Sequence, residues 1–185
     1  EAGLIYYSGH GIQVGGQNFI VPVDATLETP YDVETQTMPL DLILNHLKQN
    51  SRVQLIFLDA CRNNPFNAQK FWMAEKLEPV GATRGLARID SDLGSLIAFS
   101  TEPGQVALDG TGALSPYSES FIKRASEPNK EIRQVLTDVR RDVIAMTGGK
   151  QVPWENSSLT DSFYFIPAPP PPSASVPGRT SGSSS

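Results

Sequence analysis

At 185 residues, 39% of them apolar, the chain is long enough for one domain with a sizeable core. A net charge of −5 and a pI near 5.0 argue against nucleic acid as a main partner, because phosphate binding needs a basic face. A single cysteine excludes an internal disulfide and any multi-cysteine zinc site, and no apolar run approaches the roughly 20 residues of a membrane span.

The first predicted element is a strand over residues 4–7, which leads into Ser8, Gly9, His10 and Gly11. The two glycines mark a sharp turn where something approaches the backbone closely. Residues 12–21 read as a hairpin around Gly15 and Gly16, and residues 22–30 as irregular. Pro39 opens a helix in which Leu40, Ile43, Leu44 and Leu47 recur at helical spacing. Residues 52–59 are the second main strand; its run Leu55, Ile56, Phe57, Leu58 stops abruptly at Asp59, Ala60 and Cys61.

Residues 62–92 carry cations and little periodicity, and a connection of that length is usually functional or mobile. A third buried-type strand covers 94–100, then a Gly/Pro-punctuated loop covers 101–116 and a helix 117–125. The clearest helix spans 131–146, with Ile132, Val135, Leu136, Val139, Val143 and Ile144 on one stripe and Gly148 and Gly149 ending it. Residues 161–166 read as a final strand. The Pro/Ser/Gly-rich stretch 167–185 is expected to be a tail or linker, leaving 1–166 as the domain. The alternation predicts an α/β fold with a mostly parallel sheet. About four main strands are visible where such sheets commonly have five or six, so the start of the domain is expected to lie outside this chain.

Ligands in open α/β sheets collect at the carboxyl ends of the strands. If strands 4–7 and 52–59 lie side by side in parallel, His10 and Cys61 meet. A thiol with a pKa of about 8.5 is mostly protonated at neutral pH, and a histidine in reach can take its proton and later protonate a leaving amine. His46, the other histidine, falls beside Leu44 and Leu47 in a scaffold position. Gly11 and Cys61 each offer a backbone N–H to an oxyanion. Plainer readings stand beside these: a lone cysteine as a small buried hydrophobe, a histidine between glycines as structural. One His and one Cys make no metal motif, even with Asp24. Gly9-His10-Gly11 lacks the third glycine and the following helix of a nucleotide-binding loop.

Tyr7-Ser8-Gly9-His10-Gly11 together with Asp59-Ala60-Cys61-Arg62 resembles the caspase-like cysteine peptidases, peptidase C14, which include caspases, metacaspases and bacterial relatives. His10 and Cys61 stand about 50 residues apart, as the caspase signature requires. The likeness continues through Ser100-Thr101-Glu102-Pro103-Gly104 and Val152-Pro153-Trp154, and covers residues 3–166. It implies a caspase-like (caspase-hemoglobinase) α/β/α sandwich, with His10 as general base and acid, Cys61 as nucleophile, and the Gly11 and Cys61 N–H groups as oxyanion hole. It also implies that one or two strands, with part of the specificity pocket, precede this chain.

Departures from caspases that cut after aspartate shape the expected specificity. Asp59 replaces their glutamine, and Asp109 stands where an ungapped alignment puts an arginine. With Ser8, which like Asp59 matches a metacaspase pocket position, they suit Arg or Lys before the scissile bond. The plainer alternatives are that Asp59 caps the turn after its strand and that Asp109 is a turn residue. A peptidase of this preference can cut itself at Arg84 or Arg88, which otherwise are solvated charges. Phe71, Trp72 and Met73 either cover the pocket or join the core. No cofactor is expected. Metacaspases often depend on calcium, for which Asp90 and Asp92 are too few. Prolines after the last strand spoil edge pairing, so a monomer is expected, with protein or peptide substrates as partners and further domains possible beyond the tail. The alternative to an enzyme is a catalytically silent caspase-fold module that binds a partner.

Overall fold

Leu55, Ile56, Phe57 and Leu58 are buried on both sides of the sheet, and the fold is built outward from them. A computed structural model describes residues 1–14, 17–61, 93–102, 107–108, 110 and 112–169. The elements run β1 (Ala2–Val14), β2 (Gln17–Val21), α1 (Pro30–Gln36), β3 (Met38–Pro39), α2 (Leu40–Asn50), β4 (Val53–Cys61), β5 (Ser95–Phe99), α3 (Pro116–Ala125), α4 (Ile132–Thr147) and β6 (Trp154–Ser157). The strands form one six-stranded sheet in the order β3-β2-β1-β4-β5-β6. The expected mostly parallel sheet is parallel at its centre, where β1, β4 and β5 run together, and antiparallel at its margins.

Successive side chains of a strand point to opposite faces. Leu55 and Phe57 join Leu96 and Ala98 against Tyr117, Phe121, Val135 and Val139, the apolar faces of α3 and α4. Ile56, Leu58 and Ala60 join Ile97 and Phe99 against Leu40, Ile43, Leu44 and Leu47 of α2. Helices therefore cover both faces, as an α/β/α sandwich requires. A smaller cluster of Ile12, Phe19, Leu27 and Val33 secures the hairpin and α1. The stripe read along 131–146 is the buried face of α4, and Gly148, at φ 59°, ends that helix in the left-handed cap a glycine adopts without strain.

Four readings need correction. Residues 161–166 are not a strand: Tyr164 makes one isolated bridge to Glu131, and the Phe163 and Ile166 carbonyls accept from Ile132 and Asn129 at the start of α4. Phe163 and Phe165 alternate as strand residues would, but they pack edge-on to each other and against the α3 face. The edge strand is β6, antiparallel to β5, so Pro167 does not flank the sheet edge and the argument for a monomer loses its footing. Residues 30–36, which begin at the end of the stretch read as irregular and carried no reading beyond Pro30, form α1, whose start is fixed by the Asp32 carboxylate accepting from the Glu28 and Thr29 amides. Finally, β1 does not turn at His10 but continues to Val14.

The α3–α4 pair is stitched by charge. Arg124 of α3 grips Asp142 of α4 with two nitrogens at 2.7 and 2.9 Å, and on α4 itself Asp138 accepts from Lys130, which precedes the helix, at 2.7 Å and from Arg141 at 2.9 Å. The Lys130 ammonium holds the Asp138 carboxyl below the usual carboxylate range, against the opposing effect of burial. A lowered folded-state pKa gives stability that is present above the unfolded value of about 3.9 and is lost as pH falls through the folded one. Asp138→Asn should therefore lower the unfolding midpoint at pH 7, and the gap from the parent should close below about pH 4.

Leu4 and Leu55 are register partners, yet Leu4 is 47% exposed and Leu55 fully buried. Leu55→Ala should cost about 2–5 kcal/mol in urea unfolding and Leu4→Ala under about 1.5 kcal/mol, because only the first leaves a cavity.

Candidate active site

Parallel pairing of β1 with β4 runs from Ala2↔Val53 to His10↔Cys61, with Ser8↔Asp59 one side-chain repeat earlier. His10 is the last residue of β1 paired with β4 and the first paired with β2, through Val21. It is exposed, whereas Gly11 beyond it is buried. The expected meeting of residues 10 and 61 is thus realised as direct register partners where β4 ends. Of Cys61 only the backbone position is described. His46 lies exposed on α2. Asp109, Arg84, Arg88, Asp90, Asp92, Phe71, Trp72 and Met73 all lie outside the described residues.

Asp59 is 4% exposed. Its carboxylate accepts from the Ser118 hydroxyl at 2.6 Å and from the Ser115 hydroxyl, both at the start of α3. Its described partners are these distant serines, and the turn after its own strand lies outside the described residues. Ser115 is also the N-cap of α3, where its oxygen accepts from the Ser118 amide at 3.0 Å. A serine hydroxyl has one proton, and that of Ser118 goes to Asp59, so the Tyr6 phenol 2.7 Å away donates to Ser118. Burial and the nearby Asp59 charge push Tyr6 up to about 12 despite the opposing Ser118 contact, so the chain of donors toward Asp59 stays protonated. Tyr117, fully buried, is pushed well above its usual range by burial first and by Tyr6 and Asp59 next. Among the described residues no cation sits on Asp59, and Ser8 lies exposed beside it in register.

The neighbouring wall begins where β5 ends. Ser100 and Thr101 are buried with hydroxyls unpartnered among the described residues, as is the Tyr117 hydroxyl. Gln151, fully buried, spans this wall: its Nε2 donates to the Ser100 carbonyl at 2.8 Å, and its Oε1 accepts from the Leu108 amide at 3.0 Å. Thr147, at the end of α4, accepts from the Gln151 amide. Sequence reasoning missed Ser115, Ser118 and Gln151. Ser115-Pro116 carried a helix-start signal, but nothing local told that its serines face a carboxylate.

The arrangement is a thiol position and an imidazole position in direct register, flanked by a buried carboxylate that has no countercharge among the described residues. The sequence profile of the caspase domain, peptidase C14, matches residues 2–164. This chain belongs to the caspase domain family. Over 164 residues it is 26% identical to mucosa-associated lymphoid tissue lymphoma translocation protein 1 of Homo sapiens, a match covering 86% of this chain and 18% of that protein. The Mus musculus homolog matches to the same extent, so this caspase domain spans under a fifth of those relatives. A crystal structure of caspase-1 from Spodoptera frugiperda is 21% identical, with a TM-score of 0.48 over 72% of this chain and 57% of that one. The caspase domain here has the family's α/β architecture, six-stranded with helices on both faces.

Replacing Gln151 with Leu keeps the volume but strands the Leu108 amide and the Ser100 carbonyl. The expected cost is about 1–3 kcal/mol for each group left unpaired, read by chemical denaturation.

Proposed function

We propose that this caspase domain is a cysteine endopeptidase that cleaves after Arg or Lys. The observation that supports it is the register: His10 opposite Cys61, and Ser8 opposite Asp59 two residues earlier. In this reading the Cys61 thiol passes its proton to the His10 imidazole and its sulfur attacks the carbonyl carbon of the scissile bond. The resulting oxyanion accepts hydrogen bonds from the Gly11 and Cys61 backbone N–H groups. As the C–N bond breaks, His10 returns the proton to the leaving amine and a thioester remains. His10 then takes a proton from water, hydroxide attacks the thioester, and the thiol and a new carboxyl terminus are released.

The basic preference rests on Asp59. The Asp59 carboxyl group is buried and accepts from two serine hydroxyls, and a substrate guanidinium or ammonium group would supply a cationic partner that it lacks among the described residues. Ser8, exposed beside it, adds a hydroxyl acceptor. Asp109 contributes a second acid under the same proposal. Self-cleavage at Arg84 or Arg88 would follow from the same specificity.

The test is hydrolysis of short fluorogenic peptides ending in Arg, Lys or Asp, with and without calcium. Cys61→Ala should abolish turnover. Asp59→Asn should lower kcat/KM for Arg and Lys peptides about 10- to 100-fold, the worth of one charge-assisted hydrogen bond. Cleavage after Asp would overturn the pocket reading and keep the enzyme. Silence from the folded protein, with no difference from Cys61→Ala, would move the reading to a binding module.

A further inference from the structure

Two ladders end at His10. The β1–β4 ladder closes with His10↔Cys61, and the β1–β2 ladder begins with His10↔Val21. A residue at such a junction is held by neighbours on one side of each ladder only. What fixes it here is Tyr7. Tyr7 packs against the core cluster on the α2 side of the sheet, the one that holds Leu40, Ile56 and Leu58. Its hydroxyl lies 2.8 Å from the His10 carbonyl and 3.0 Å from the Val21 carbonyl, so one phenol proton is shared between the carbonyls of the two register partners. Burial pushes the phenol up, against the opposing Val21 and His10 contacts, which keeps it a donor at the pH values where thiol and imidazole titrate.

Gly9 completes the device. A Cβ at residue 9 would stand 2.7 Å from the Tyr7 hydroxyl oxygen and 3.0 Å from Cζ, closer than side chains come. Gly9 has no left-handed φ and β1 does not turn there, so its missing side chain serves to admit the phenol. The spacing Tyr-x-Gly-His is a unit in which one residue clamps, one leaves room and one is clamped.

We infer that Tyr7 is a positioning residue for the dyad, its phenol fixing the backbone mount of His10 against Cys61. This rests on the peptidase reading above, in which His10 is the base. Tyr7 itself touches neither substrate nor reacting atoms, and its contribution reaches the chemistry only through His10.

Cys61 is the sole thiol of the chain, so alkylation by iodoacetamide reads it alone, and its pH profile reports the imidazole partner without any need for turnover. The experiment uses the full chain as parent, His10→Ala, Tyr7→Phe, Gly9→Ala, the Tyr7→Phe/Gly9→Ala double variant, and Tyr31→Phe as an exposed-phenol control. The parent should react well below the free-thiol pKa of about 8.5, and His10→Ala should move the profile up toward it. Tyr7→Phe and Gly9→Ala should each move it part of the way. The double variant should add little to either, because both remove one clamp. In peptide hydrolysis Tyr7→Phe should lower kcat about three- to tenfold with KM within about twofold, the mark of misplacement and not of lost binding. Gly9→Ala keeps the tyrosine and carries the test should Tyr7→Phe not fold. A Tyr7→Phe profile coincident with the parent's, while that of His10→Ala is displaced, would overturn the positioning role and leave the peptidase reading standing. Coincidence of the parent with His10→Ala would sink the dyad and the inference with it.

Discussion

The parallel ladder between β1 and β4 is the constraint on which the site depends. A one-residue slip in a sheet exchanges its two faces, so it would move His10 away from Cys61 and Ser8 away from Asp59 in one step. β4 cannot slip, because Leu55 and Phe57 fill one core and Ile56 and Leu58 the other. β1 is anchored less deeply along its first half, where alternate residues are exposed and Tyr6 and Tyr7 make its contacts with the two cores. Its register is set from outside: by β4 along its length, and by β2 beyond His10. The imidazole thus stands on a strand whose position is imposed by its neighbours.

The polar environment of the site is held from the α3–α4 side. Asp59 meets hydroxyls at the first turn of α3, where backbone N–H groups also favour negative charge. α3 is in turn bound to α4 through Arg124 and Asp142, and the end of α4 leads through Thr147 to Gln151 and the wall beyond β5. Charge pairs far from the sheet therefore bear on where the Asp59 carboxylate sits. Among the described residues, the hydroxyls of Ser100, Thr101 and Tyr117 are buried without a partner.

The central strands and the longer helices were legible because each carries its own signal. β4 and β5 are continuous apolar runs, α2 and α4 have clear 3.6-residue stripes, and Gly148 ends α4 as its position suggests. The meeting of His10 and Cys61 was legible too, since two strand-like runs of that kind in an α/β fold run parallel. Elements defined by tertiary partners were not. β6 reads Trp-Glu-Asn-Ser and owes its conformation to β5 and to the Arg140–Glu155 pair, while Phe163 and Phe165 imitate a strand yet serve as aromatic plugs. Gly9 beside His10 looked like a turn because a glycine gives the same local signal whether it bends the chain or makes room for a phenol.

The ladder that joins His10 to Cys61 also has a kinetic meaning. The two residues are brought together only when a loop of about 50 residues closes, a cost that grows slowly with loop length and falls before any contact repays it. Residues 62–92 follow Cys61 and lie wholly outside that loop. Lengthening, shortening or nicking that connection leaves the entropy of closing the dyad loop unchanged, and β5 remains joined to β4 by its own ladder and by two shared cores. Assembly of the dyad is thereby insulated from events in residues 62–92.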